Sequence, residues 1–311
     1  MTESGFKPPK VAVVILNYNG KALTERCIQS VMESPYPGKE IILVDNASTD
    51  GSAERLADMF RAVLVLRNGQ NLGVTGGRNR GFREAVRRGN DYILSLDNDT
   101  RIDRRLIDEL VAAAESDPAI GIVGPKTYSD DGSGKIQCVG GTITYTQNVC
   151  AQRGFGEFDR GQYDVMQEVD YFPGFGFMAR REVFESLDFL DENFQGYGHE
   201  DTDFCLRAAR SGYRVVYVPK AVLWHQGSAT IGDYSPRKKY LEAVNSVYFV
   251  RKYGKRRERL KYAFFAGLGL IYALLVQSLR GNHMSVLAKA RGIWDGLHKP
   301  ISQWQHHRPR H

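Results

Sequence analysis

Four short apolar runs constrain this chain more than any other feature: VAVVILN (11–17), EIILVD (40–45), AVLVL (62–66) and YILSLD (92–97). Each is short, mostly unbroken by polar residues and rich in aliphatic side chains, the pattern of a strand covered on both faces. Stretches of helical periodicity lie near 21–34, 52–60, 77–88 and 103–116. Strands alternating with helices imply βαβ units and an α/β, Rossmann-like parallel sheet. A ligand then belongs beyond the carboxyl ends of the strands. Three of the runs lead there into polar residues: Asn17 and Asn19, Asp45 and Asn46, and Asp97, Asn98 and Asp99.

In SLDNDT (95–100) two carboxylates flank Asn98. Like charges a few ångströms apart repel by about 1 kcal/mol in water and by several at an effective dielectric near 20. Alternate residues of a strand share a face, so Asp97 and Asp99 could reach one hard divalent cation that removes the repulsion. The competing role is a strand end with Asp99 or Asp103 capping the next helix. In VDNASTDGS (44–52), Asp45 is placed to accept from a ribose or a base N–H, with Ser48 or Asp50 as helix cap. The segment NLGVTGGRNRG (71–81), with Gly76, Gly77, Arg78 and Asn79, is a Gly-rich passage into a helix, where backbone approaches a ligand closely and a helix N-terminus favours phosphate. Glu200 and Asp201 begin a helix expected over about 201–211 and stopped by Gly212. The macrodipole favours ionised carboxylates there, as caps or as a base held deprotonated. A strand over 213–219 follows, then Trp224-His225 in a polar loop, where a structural histidine is the default.

The remaining sequence bounds the setting. With 311 residues, 42% hydrophobic and 25% charged, the chain is globular and long enough for one large α/β domain with a tail, or for two domains. A net charge of +6 favours acidic partners: nucleic acid, anionic lipid or a phosphorylated small molecule. Cys27, Cys138, Cys150 and Cys205 are too scattered for a zinc pattern and too few for a disulfide scaffold, so reduced thiols are expected. MTESGFKPPK has no apolar core of a signal peptide, which places the main body in the cytoplasm. From about 120 to 175 the Gly-rich, polar and aromatic texture predicts irregular strands and loops facing an acceptor, before a helix near 180–187. Past 236 the chain is helical and basic: VRKYGKRRERLK (250–261) precedes YAFFAGLGLIYALLVQSL (262–279), which carries no formal charge. That stretch could be a buried helix, a single span or a helix lying on the cytoplasmic leaflet; the last accounts for both the basic flank and the apolar run. The tail QWQHHRPRH (303–311) is expected to be a solvated end rather than a metal site.

Taken in order, VVILNYNG, VDNASTDGS, NLGVTGGRNRG, LDNDT, RREVFESLDFLDENF and GHEDTDFCLRAARSGYRVVYVPKAVLWH resemble the family 2 glycosyltransferases of GT-A fold, and more narrowly their bacterial rhamnosyltransferase-like branch, over about residues 10–230. The resemblance implies a GT-A domain over 1–235, with a nucleotide-binding half at about 10–120 and an acceptor-side half at about 120–235; the charge and apolar pattern past it add a basic helical region over 236–311 expected to associate with the membrane. It implies that Asp45 binds the nucleotide, with Asn17, Asn19 and Asn46 nearby and Gly76, Gly77, Arg78, Asn79, Asp97 and Asn98 on the donor side. It makes Asp99 the principal ligand of Mg²⁺ or Mn²⁺, with Asp97 near the ribose or the metal and His225 in the metal and diphosphate shell. Asp201, paired with Glu200, looks like the catalytic base of an inverting transfer. The implied donor is a nucleoside-diphosphate sugar, dTDP-L-rhamnose before UDP-hexoses. The implied acceptor is a hydroxyl of a lipid-linked saccharide or surface glycan at the inner face of the cell membrane, with no nucleic acid partner. The chain departs from the family pattern at Leu187–Glu192, at Val74-Thr75 and at His199; the first and third fall near the acceptor side and put the identity of the acceptor in question. Two rivals are a sugar nucleotidyltransferase, against which the NYNGK turn argues, and a non-catalytic basic module binding membrane or nucleic acid, which leaves Asp45, Asp97, Asp99, Glu200 and Asp201 unexplained.

Overall fold

The computed structural model describes residues 7–194, 196, 198–227, 235–277 and 279–298; the expectations for residues 1–6 and for the histidine-bearing tail lie outside them. The strands are β1 (Val11–Asn17), β2 (Lys39–Asp45), β3 (Leu64–Arg67), β4 (Tyr92–Asp97), β5 (Thr100–Ile102), β6 (Ile120–Ser129), β7 (Ile136–Cys138), β8 (Gly141–Ile143), β9 (Cys150–Gln152), β10 (Gln167–Glu168), β11 (Gly176–Arg180) and β12 (Arg214–His225). The helices are α1 (Lys21–Met32), α2 (Ser52–Met59), α3 (Gly73–Arg87), α4 (Leu106–Glu115), α5 (Arg181–Leu187), α6 (Glu200–Arg210), α7 (Pro236–Tyr253), α8 (Arg256–Tyr272) and α9 (His283–His298).

One mixed, mostly parallel sheet runs in the order β10-β12-β6-β11-β4-β1-β2-β3, with β5 paired to β12 and β7 to β6. The apolar runs are continuous because their alternate residues feed two cores. Val11, Val13 and Ile15 of β1 join Cys27 and Ile28 of α1, Leu56 of α2 and Leu110 of α4 on one side. Ala12 and Val14 join Phe82 of α3, Phe184 of α5 and Phe204 of α6 on the other. A third cluster joins Phe194 to Phe249 of α7 and Tyr262 and Ala266 of α8. The fully buried Asp203 of α6 fastens the same junction, pairing with Lys252 at 2.6 Å and accepting from the Tyr253 hydroxyl at 2.5 Å.

Four sequence expectations are corrected. The third strand spans 64–67, not 62–66, because the chain is still turning after α2 and the Val63 N–H bonds the Phe60 carbonyl. Helix α3 begins at Gly73, about a turn before the expected 77, so Gly76 also lies within it rather than in the passage leading into it. The irregular region at 120–175 contains β6, ten residues long and interior to the sheet. Its Lys126 and Pro125 disguise it, yet the buried Lys126 is paired with Asp159 at 2.7 Å and Asp164 at 2.6 Å. Finally, β12 continues past Pro219 to His225. Its pairing with β6 shifts register between Val218 and Val222, and the proline, which has no N–H to donate, sits in that irregularity instead of ending the strand. His225 is therefore the last residue of a strand, not part of a polar loop.

Candidate active site

The sheet registers bring the strand ends level: Asn17 of β1 stands opposite Asp45 of β2, and Leu16 opposite Asp97 of β4. Behind these ends lies a polar network. The Asn17 amide donates to Asp45 Oδ1 and Ser52 Oγ, both at 2.9 Å, and its oxygen accepts from Thr24 Oγ1 at 2.8 Å. The second Asp45 oxygen accepts from the Ser48 N–H at 3.1 Å. Asp45 is only 3% exposed, so it forms part of the floor of the site rather than an open carboxylate. Asn19, in the left-handed region at φ 52°, accepts from the Thr49 N–H and joins the first loop to the second. Asn46 donates to Asn71 Oδ1 and the Gly73 carbonyl and accepts from Asn68 Nδ2 and the Leu72 N–H, shaping the segment before α3.

The glycines of α3 serve packing. A Cβ at Gly77 would lie 2.6 Å from Leu16 Cδ1, and one at Gly81 2.4 Å from Val14 Cγ1, so small residues let α3 lie against β1. Gly76 packs against Leu72, where a Cβ would meet Leu72 Cβ at 3.0 Å. The Asn79 side chain exchanges hydrogen bonds with the backbone of Leu190 and donates to Glu192. Among the described residues, Gly76, Gly77 and Asn79 make no hydrogen bond to the strand-end carboxylates.

Asp97, Asp99 and His225 do converge, with one ligand atom from each lying within 4.8 Å of the others. Asn98 between the carboxylates turns the other way, its amide donating to Thr24 Oγ1 at 3.1 Å and lying 3.4 Å from Asn17 Oδ1. The ladder between β5 and β12 pairs His225 with Thr100, which sets His225 beside Asp99; Nε2 lies 3.2 Å from Asp99 Oδ1. His225 Nδ1 lies 2.9 Å from the acceptor Gln137 Oε1 and donates to it, which leaves Nε2 as the nitrogen aimed at the acids, where its protonated form pairs with Asp99. Phe175 stacks on the imidazole at 4.1 Å and 20°. Burial alone would raise the Asp99 pKa, but the hydrogen bond and charge of His225 outweigh it and hold the carboxyl below its usual value. Two carboxylates and one imidazole with a fixed outer hydrogen bond fit a hard or borderline divalent cation such as Mg²⁺ or Mn²⁺.

A second acidic pair opens α6. His199 takes a left-handed conformation at φ 75° as N-cap, which places Glu200 and Asp201 in the first turn. Asp201 accepts from the Gly174 N–H at 2.8 Å and the Thr202 N–H at 2.6 Å. Between the two acidic groups runs Arg78, 4% exposed, at 2.5 Å from Asp97 and 3.1 Å from Glu200. Gly174 makes room for it, because a Cβ there would meet the guanidinium at 2.1 Å. Burial and the adjacent Asp201 push the Glu200 carboxyl up to about 7 against the pull of Arg78. Burial raises Asp201 as well, opposed by Arg78 and the two backbone N–H groups. A hydrogen-bonded carboxylate with a raised pKa suits general-base work.

Sequence reasoning missed Gln137, Gly174 and Phe175, and placed Arg78 on the donor side without its link to Glu200. Arg78 is one of four arginines in α3, with Arg80, Arg83 and Arg87, and nothing in their spacing marks which one turns toward the strand-end acids. Gln137 and Phe175 carried no signal, since only the folded sheet brings them to His225.

The fold defines a GT-A protein. The mannosyltransferase PcManGT of Pyrobaculum calidifontis, solved with GDP-Man and Mn²⁺, superposes with a TM-score of 0.58 at 18% identity, covering 96% of this chain and 84% of that one. Residues 12–188 match the family described as glycosyl transferase family 2, and residues 161–230 match the N-terminal domain of galactosyltransferase. The chain thus belongs to glycosyl transferase family 2. Its relatives include the dTDP-rhamnosyl transferase RfbF of Shigella flexneri, 24% identical over 259 residues, 78% of this chain and 80% of that protein. The N-acetylglucosaminyl-diphospho-decaprenol L-rhamnosyltransferase of Mycobacterium tuberculosis (strain ATCC 25618 / H37Rv) is 25% identical over 292 residues, 86% of this chain and 92% of that protein. The protein y4gI of Sinorhizobium fredii is 24% identical over 271 residues; the match takes in 84% of this chain but 29% of that protein.

Proposed function

We propose that this chain is an inverting, metal-dependent glycosyltransferase that moves L-rhamnose from dTDP-rhamnose to a hydroxyl of a lipid-linked saccharide at the cytoplasmic face of the membrane. The observation that carries the reading is the Asp97–Asp99–His225 cluster at the strand ends, joined through Arg78 to Glu200–Asp201 at the start of α6. Asp97, Asp99 and His225 would hold Mg²⁺ or Mn²⁺, which when bound supplies positive charge to the departing diphosphate. Asp201 takes the proton of the acceptor hydroxyl as that oxygen bonds to the anomeric carbon and the bond to the diphosphate breaks on the opposite face. The Gly174 and Thr202 N–H groups fix the Asp201 carboxylate, and Arg78 offsets the charge of Asp97 and Glu200.

Rhamnose is favoured because two relatives are named for rhamnosyl transfer, and a lipid diphosphate acceptor because one of them is named for a decaprenol-linked substrate. Membrane placement is supported by α8. Along α8 and its continuation to Gln277, the Tyr262, Ala266 and Ala273 side is buried, while Leu260, Phe264, Leu268, Ile271 and Leu275 form an exposed apolar stripe behind the basic Arg256, Arg257 and Lys261. The helical stretch Arg256–Gln277 is also long and apolar enough to cross a membrane, but its packed side favours lying along a leaflet.

A panel of nucleotide sugars with Mn²⁺ or Mg²⁺, read by nucleoside diphosphate release, tests the reaction and the donor together. The expected result is metal-dependent release from dTDP-rhamnose; consumption of a nucleoside triphosphate with pyrophosphate release would replace this reading. Asp201→Asn should lose transfer by about 10²–10⁴-fold while remaining folded.

A further inference from the structure

Behind the start of α6, away from the metal-ligand cluster, α7, α8, α9 and the turn between β8 and β9 enclose a cavity of about 240 Å³, several times the ~30 Å³ share of a water molecule. Its charged lining residues are two lysines and one glutamate, Glu242. Lys239 and Lys289 face it together with the amides of Gln147 and Asn148. Lys239 is paired with Glu242 at 2.8 Å, but Lys289 makes no hydrogen bond or ion pair among the described residues. Burial and the like charge of Lys239 hold the Lys289 ammonium below its usual pKa. A half-buried cation is costly unless an anion meets it; Glu242 offsets part of that cost but is itself paired with Lys239. Two further observations place the cavity. Ser246 in its wall lies 3.0 Å from Nε2 of His199, the residue immediately before Glu200 and Asp201. Gly269 and Tyr272 of the same wall belong to α8, whose opposite side carries the exposed apolar stripe.

We propose that this cavity seats the diphosphate of a prenyl-diphosphate-linked acceptor, gripped by Lys289 with Lys239 and the Gln147 and Asn148 amides. The prenyl chain leaves along the apolar surface of α8, and the saccharide extends past His199 toward Asp201. The net charge of the three ionised groups, Lys239, Glu242 and Lys289, is positive, as an anion requires. The assignment rests on the glycosyltransferase reading for the word acceptor, but not for the binding itself.

The test is equilibrium binding of farnesyl diphosphate to the full chain in EDTA, with farnesol and inorganic pyrophosphate as comparison probes. EDTA removes the divalent cation through which a diphosphate would be held at Asp99. The wild-type chain is expected to bind farnesyl diphosphate at least about tenfold more tightly than either comparison probe. Lys289→Gln should lose about tenfold, Lys289→Arg should retain most of the affinity, and Asp99→Asn should bind as wild type. Among the described residues Lys289 makes no hydrogen bond or ion pair, so these variants are expected to fold. Equal binding by Lys289→Gln and wild type would overturn the proposal, as would farnesol binding as tightly as farnesyl diphosphate. Binding that appears only when Mn²⁺ replaces EDTA and is then lost in Asp99→Asn would put the diphosphate at the strand ends and also overturn it. Lys289-dependent binding without sugar transfer from any donor would refute the catalytic reading and leave the cavity assignment standing.

Discussion

Arg78→Met removes the one side chain that links the two acidic groups of the site and leaves an apolar side chain of related length. The guanidinium makes ion pairs at 2.5 Å to Asp97 and 3.1 Å to Glu200. Glu200 is buried, whereas the Asp97 side chain is 32% exposed and its share is screened by water. The Glu200 side therefore dominates. Breaking a buried pair by removing one partner costs about 3–5 kcal/mol, because the other charge stays behind uncompensated. For a chain of this size, with an unfolding entropy of about 2.1 cal/mol/K per residue, that is a fall in Tm of about 5–8 °C. The loss should depend on pH with a definite sign. Without Arg78 the folded-state pKa of Glu200 rises further above its unfolded value. A group raised in this way contributes stability that is present below its unfolded pKa and lost as pH rises through the folded one. The gap between wild type and variant should thus be widest near pH 8 and narrow toward pH 5. Urea unfolding of both chains at pH 5, 6, 7 and 8, with EDTA throughout, measures this. Arg78→Lys, which keeps the charge but not the two-armed geometry, should fall between them. A loss below about 1 kcal/mol, or one that does not change with pH, would refute the account of Arg78 as the buried counter-charge.

Gln137→Leu should weaken Mn²⁺ binding by about 10–100-fold without unfolding the chain, because it removes the acceptor that orients His225; unchanged affinity by titration would show that the imidazole needs no outer partner. Gly81→Ala should cost about 1–3 kcal/mol by forcing α3 off β1, where a Cβ lies 2.4 Å from Val14 Cγ1, and a denaturation midpoint equal to wild type would contradict it. Burial lowers the His199 pKa to about 4, so its contribution is present above the unfolded value of 6.5 and lost as pH falls toward 4; His199→Phe should flatten acid unfolding across that window. Phe264→Glu with Ile271→Glu should abolish co-flotation with vesicles containing anionic lipid while leaving the circular dichroism spectrum unchanged, and continued flotation would remove α8 from the membrane contact.

The half of the fold that could be read from sequence is the half whose strands feed two cores. β1, β2 and β4 are unbroken apolar runs, and so they are visible. β6 and β12 are hidden by Lys126 and Pro219, whose accommodation depends on Asp159, Asp164 and a register shift supplied from elsewhere in the chain. The site divides in the same manner. Asp97 and Asp99 announce themselves by spacing, and Glu200 and Asp201 by their place at a helix start. The Gly-rich stretch is different, because a glycine that admits a ligand and one that admits a strand are the same letter. Only the contacts of Gly77 and Gly81 with Leu16 and Val14 tell them apart. Asn46 and Asn79 likewise look like ligand-binding amides, yet both are engaged with backbone groups of their own chain.

The position of His225 at the far end of β12 has a consequence for synthesis. Asp97 and Asp99 emerge from the ribosome with the first βαβ units, but the strand that brings the imidazole beside them comes only after α6, and it docks through β6 and β5. Domains tend to fold from the N-terminus as they are made. A nascent chain that has reached α5 can already align β1, β2 and β4, but it lacks the nitrogen of the ligand cluster. Competence to bind the cation should therefore arise late and abruptly, when the sheet closes, rather than grow with chain length.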